Sequence, residues 1–266
     1  MSDELITSTG VAAALGSKLL YDVCGPSAKY IGGELASYSE AGVKNLKRIF
    51  SIAADRIKAL GKAEGQVAPR LLKDILMEGY FCEDELGAQY LGGVLASGKS
   101  PVSRDDRAVA HCALVTSLSS YQIRTHYLLY SSILTFSEDT VAQILDWVRR
   151  GHGATVLINA AEYNEAMEFT AHEDPKQISE HAFIGLQQKG LVEEGASVIN
   201  PNPKIRDQPL THFRFFRPTT VGIELFLWGL GVGDLGFATY GPHLLTSETP
   251  PTIKPVHLEF GQCSYS

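Results

Sequence analysis

The densest run of groups able to do chemistry is Ser103-Arg104-Asp105-Asp106-Arg107. Arg104 and Arg107 flank the carboxylates of Asp105 and Asp106, and the two guanidiniums could hold a phosphate or another anion. The same run also reads as a helix start with local ion pairs, because Ser103-x-x-Asp106 has the spacing of a capping box. A second group follows at Tyr121, Arg124, His126, Tyr127 and Tyr130. On a helix Arg124 and Tyr127 share one face, and His126 and Tyr130 share another. Such a set could bind an anion or a nucleotide. Alternatively, the tyrosines are half-buried with satisfied hydroxyls and Arg124 pairs with an acid. Convergence of Arg104, Arg107, Arg124 and His126 on one deep polar pocket would make an active site.

Other reactive residue types do not fall into spacings that carry a known chemistry. His111 and Cys112 are adjacent and point apart on a helix, whereas metal ligands must converge. There is no HExxH, and His172 and His181 are too far apart to replace it. The four cysteines, Cys24, Cys82, Cys112 and Cys263, form no C-x-x-C pair. Neither a phosphate-loop motif nor a Gly-x-Ser-x-Gly elbow occurs, and Gly229, Gly231 and Gly233 read as packing or bending glycines. No catalytic residue, metal or cofactor is therefore assigned, and the reading favours a non-enzymatic protein.

The chain has 266 residues, 44% of them apolar and 20% charged, with a formal charge of −7. That is a globular balance with ample core. Net acidity argues against nonspecific attraction to nucleic acid or anionic lipid, although a local basic patch could still provide it. The opening Met-Ser-Asp-Glu is acidic where a signal peptide is basic, so a cytoplasmic setting with reduced thiols is expected. The most apolar stretch, Val221 to Tyr240, is interrupted by Glu224 and Asp234 and reads as core, so no transmembrane segment is expected.

The elements that must position these residues are mostly helices. Residues 10–24 are small and apolar. One long helix, or two close ones, runs from Ser27 to about Leu60, with Leu35, Val43, Leu46, Ile49, Phe50, Ala53, Ile57 and Leu60 on one stripe. Its opposite face carries Lys44, Lys47, Arg48, Lys58 and Lys62, a candidate surface for an anionic partner or a solvated helix face. Pro69 opens the next helix, and the acids at 83–85 start another. Helices are expected at roughly 104–117 and 120–134, the second on the capping box Ser119-x-x-Gln122. Two more follow, from Ser137 to about Arg150 and from Ala154 to Phe169. Gly32-Gly33 and Gly92-Gly93 lie within helical stripes, where small residues admit a neighbouring helix.

The pattern changes after Asp174-Pro175. A helix over 175–189 leads to β-like runs at Ala196–Ile199 and His212–Phe216, joined by a long Asn/Pro loop. Pro218-Thr219-Thr220 then caps a last helix. The expected fold is mainly α: a helical bundle over 1–170, a winged-helix-like α/β unit with a small β-hairpin over 171–242, and an extended Pro-rich tail over 243–266. A DNA-reading winged helix would use Lys176 and Lys189 on its helix and Lys204, Arg206, Arg214 and Arg217 on its wing. The alternative use of such a unit is protein docking or dimerisation.

Three stretches resemble the abortive infection alpha family. VAPRLLKDILMEGYFCEDELGAQYLGGVLASG, residues 67–98, looks like that family's helical core. HAFIGLQQKGLVEE with FRPTTVGIELF looks like its C-terminal unit. GPSAKYIGGELASYSEAGVKNLKRI fits its N-terminal helix. The YLGGVLASGKSPVSRDDR run departs from the general pattern, which often has a tryptophan and a different turn, and so points to a subgroup. The resemblance implies a bacterial protein active in defence against phage through a protein partner or a homo-oligomer, and it carries over no catalytic residues.

Overall fold

The computed structural model describes residues 21–23, 40–62, 64–199, 212–246, 250 and 252–261. The stretch 24–39, including Gly32-Gly33, and the wing residues Lys204 and Arg206 lie outside the described residues. The protein is mainly helical with a small antiparallel sheet. It parts into two compact units, Met1–Ser117 with Leu227–Gly236, and Leu118–Phe226 with Phe237–Ser266. The parting falls at 117 and not at the expected 170. The reason is that the segment 118–170 supplies the strand that holds the C-terminal sheet together.

In the first unit α1 spans Glu40–Ala59 and buries the expected stripe from Val43 to Ile57, with Leu46, Ile49, Phe50 and Ala53 fully enclosed; Leu60 lies past the helix end and is exposed, and Leu35 lies outside the described residues. Strand β1, Gln66–Val67, precedes α2, Pro69–Gly79, with Pro69 at its first position. Helix α3 covers Glu85–Ser97; its N-cap Asp84 accepts from the Gly87 amide at 2.6 Å. Strand β2, Lys99–Ser100, pairs antiparallel with β1. Two residues per strand are too few for alternation to show. Helix α4 covers Arg107–Thr116.

Helix α3 packs closely on its neighbours because it is glycine-rich. A Cβ on Gly92 would fall 2.6 Å from Ile52 Cγ2, and one on Gly93 would fall 1.9 Å from the Gly229 carbonyl oxygen. Burying the large apolar side chains of this core contributes ~1.5–3 kcal/mol each.

In the second unit α5 spans Ser120–Ile133 under the expected capping box: Ser119 accepts from the Gln122 amide, and the Gln122 side chain returns to the Ser119 amide. Helix α6, Glu138–Arg149, starts at Ser137 as expected. The expected helix from Ala154 is instead strand β3, Gly153–Asn159, followed by a short α7, Ala160–Ala166, capped by Asn159. Thr155, Val156, Leu157 and Ile158 form a run covered on both sides, and a strand buried on both faces does not alternate.

Helix α8, Pro175–Gln188, is capped by Asp174 and leads to β4, Val192–Ile199. Strand β5, His212–Pro218, pairs antiparallel with β4, from Ile199 opposite His212 to Val192 opposite Pro218. The hairpin is therefore present, but β5 also pairs with β3. Helix α9, Thr220–Leu230, starts where Thr219 Oγ1 accepts from the Gly222 amide at 3.0 Å. Strand β6, Pro255–Gly261, then lies antiparallel on β3 and completes the sheet order β4-β5-β3-β6. This part of the tail is hydrogen-bonded into the sheet. No helix among the described residues is long and apolar enough to cross a membrane.

Candidate functional site

The arginine–aspartate run forms a local turn. Arg104 is exposed in the loop before α4. Asp106 stands at the N-cap without a side-chain capping bond, so the Ser103 capping box is not formed. Asp105 instead accepts weakly from the Arg107 amide, at 3.4 Å. It accepts from the Arg107 guanidinium at 2.9 Å through both carboxylate oxygens, and that pairing holds its pKa down at about 2. Arg107 therefore has its fork occupied by its own loop, and Asp105 competes with any incoming anion.

The second cluster sits on α5, the polar axis of the second unit. Tyr121 donates to the Glu173 carboxylate. Arg124 donates to the Ala166 carbonyl at 2.9 Å and pairs with Glu168, a residue held at φ 55°. His126 is fully buried. Its Nε2 donates to the Gly222 carbonyl at 3.1 Å, its ring lies 4.6 Å from that of Tyr130, and burial pushes its pKa down to about 3. A histidine so placed stays neutral and reaches no solvent. Tyr127 donates to the Pro250 carbonyl at 2.5 Å, and Tyr130 donates to Leu191 while accepting from the Thr219 amide. Tyr127 and Tyr130 are enclosed rather than half-buried, and α5 uses its polar groups to tie α7, α9 and the β4 entry together. Arg104 and Arg107 belong to the first unit, Arg124 and His126 to the second; Arg107, Arg124 and His126 are each engaged within their own unit.

The candidate nucleic-acid contacts also separate. Lys176 is exposed on the first turn of α8, and Lys189 is half-exposed at its end. Arg214 corrects the reading of the wing. It is 7% exposed, with its guanidinium carbon 4.6 Å above the Tyr163 ring and Nη2 donating to Asn164 at 3.2 Å. Its outward position in the pleat is closed by α7, which packs on β5. Arg217 pairs with Glu194 on the neighbouring strand at 3.1 Å. The basic face of α1 is also divided. Lys44, Lys47 and Lys58 are exposed, while Arg48 pairs with Glu85 at 3.0 Å and Lys62 pairs with Asp234 at 2.6 Å.

Three features escaped the sequence reading. Arg56 is held by the Gln89 and Gly229 carbonyls and the Gln89 side-chain oxygen, and burial lowers its pKa to about 10. His111 stacks on Trp228 with ring centroids 4.5 Å apart, and burial followed by Arg107 lowers its pKa to about 4. Phe81 and Met77, four positions apart at the end of α2, are 75% and 50% exposed. Only this last feature left a signal, because Met77 falls off the stripe set by Leu71, Leu72, Ile75 and Leu76, and Phe81 follows the helix stop at Gly79. Among the described residues no three His, Cys, Asp or Glu side chains group as metal ligands. No family model matches this chain, and neither does any curated protein or solved structure.

Proposed function

We propose that the chain is a non-enzymatic cytoplasmic protein of the abortive infection alpha type, acting in bacterial defence against phage by docking on another protein. The observation that carries this reading is Phe81, an aromatic ring 75% exposed at the end of α2, with Met77 one turn before it at 50%. Aromatic and methionine side chains supply much of the binding energy of protein interfaces, and leaving them in water is unfavourable for a monomer. The polar clusters support the same reading, because Asp105–Arg107, Arg124–Glu168 and His126–Gly222 are engaged internally.

The second part of the proposal is that α8, β4, β5 and α9 make a winged-helix-like unit serving as a docking module. A DNA-reading use of that unit is disfavoured, because Arg214 and Arg217 are held by Tyr163, Asn164 and Glu194.

Plating of phage on bacteria that carry the chain tests the reading, beside the double variant Met77→Asp, Phe81→Asp. The chain is expected to lower plaque yield. The variant, folded by circular dichroism, is expected to lose that protection and to lose a cross-linked partner seen with the parent. Equal plaque yield with and without the parent chain, or full protection by the variant, would overturn it.

A further inference from the structure

A cavity of about 750 Å3 opens in the first unit, at the C-terminal end of α1. Three ammonium groups line it from separate places in the sequence. Lys99, on β2, is 6% exposed and donates to the Asp22 carbonyl at 2.7 Å. Lys62 is set by its bond to Asp234, with 14% of its side chain exposed. Lys58 stands exposed on the last turn of α1.

The walls are fixed by backbone geometry. Helix α1 ends where the Gly61 and Lys62 amides return to the Lys58 and Ile57 carbonyls, with Gly61 at φ 64°. That closure satisfies carbonyls that would otherwise repel an anion at a helix C-terminus. Gly65, at φ 117°, passes so close to β2 that a Cβ there would fall 2.8 Å from the Ser100 carbonyl carbon.

We propose that this cavity is a binding site for a phosphorylated small molecule of mononucleotide size. Its volume lies within the range of small-molecule pockets, ~300–1,000 Å3. Lysine is a point-charge phosphate binder, and three lysines at graded depth suit a phosphate that enters past Lys58 toward Lys62 and Lys99. Asp22, Asp55 and Glu64 also line the cavity, but all three are exposed at its rim, where water screens them. There they can accept from ligand hydroxyl or amino groups. Tyr21, 64% exposed at the same rim, offers a ring face for a base. The proposal stands independently of the protein-docking reading.

Calorimetric titration of the full chain with AMP, adenosine and inorganic phosphate tests it, repeated with Lys58→Glu and Lys99→Met. AMP is expected to bind, with adenosine and phosphate each at least about tenfold weaker, as a charge-assisted contact implies. Lys58→Glu, at an exposed position, is expected to weaken AMP by about tenfold with no change in the melting temperature of the free protein. Lys99→Met is expected to abolish binding if it folds; the Lys58 variant keeps the test decisive if it does not. Absence of AMP binding at millimolar concentration, adenosine binding as tightly as AMP, or unchanged affinity in Lys58→Glu would each overturn the proposal.

Discussion

Arg56 donates through one guanidinium nitrogen to the Gly229 carbonyl at 2.6 Å and to the Gln89 carbonyl at 2.7 Å. The second nitrogen reaches the Gln89 side-chain oxygen at 2.8 Å. A buried guanidinium therefore joins α1, α3 and the chain 173 residues further on, through carbonyl acceptors. Replacing it with alanine leaves buried carbonyls unsatisfied and removes the packed stem. Arg56→Ala is expected to cost about 2–4 kcal/mol, read by urea denaturation. Arg56→Lys is expected to recover little, because an ammonium cannot reproduce the planar fork. A loss below about 0.5 kcal/mol for Arg56→Ala would mean that the contact is incidental.

How much of this was legible in the sequence depends on the period of each signal. Caps were readable because they are local: Ser119 with Gln122, Ser137, Asp174 with Pro175. The stripe of α1 was readable because it faces one side. Strand β3 was not, since its apolar run is covered on both faces and carries no period of two. The fate of Arg214 and Arg217 was not readable either. Each is decided by a partner 20 or more positions away, Asn164 or Glu194, and charge type alone gives no hint of such pairing. The cavity lysines are separated in the same way, Lys58 on α1, Lys62 just past its end and Lys99 on β2.

Acid stability follows from His126. In the unfolded chain it titrates near its ordinary value of 6.5; in the folded unit burial lowers that to about 3. Between those values the unfolded chain holds a proton that the folded chain does not. Its stabilising contribution is therefore complete above about pH 6.5 and is lost as pH falls toward 3, by at most about 1.4 kcal/mol per pH unit. His111 is lowered to about 4 and acts in the same sense. Urea midpoints at about pH 5 and about pH 7.5 should show the difference. His126→Gln, whose amide can still donate to Gly222, is expected to shrink it. An unchanged slope in that variant would place the acid sensitivity elsewhere.

Arg214 distinguishes a structural cation from a nucleic-acid contact. Its guanidinium lies over Tyr163 and is closed in by Phe183, 5.9 Å to that ring centroid. Arg214→Met keeps the stem but removes the charge and the bond to Asn164, and is expected to cost about 1–2 kcal/mol in stability. Lys176→Glu, exposed on α8, is expected to stay within about 0.5 kcal/mol of the parent. Under the docking reading, neither protein nor variant binds duplex DNA tightly at low salt. Salt-sensitive binding by the parent that Lys176→Glu removes would instead return α8 to the role of a recognition helix. Arg214→Met would still report on the core alone, because a side chain 7% exposed cannot reach a phosphate without leaving the tyrosine it covers.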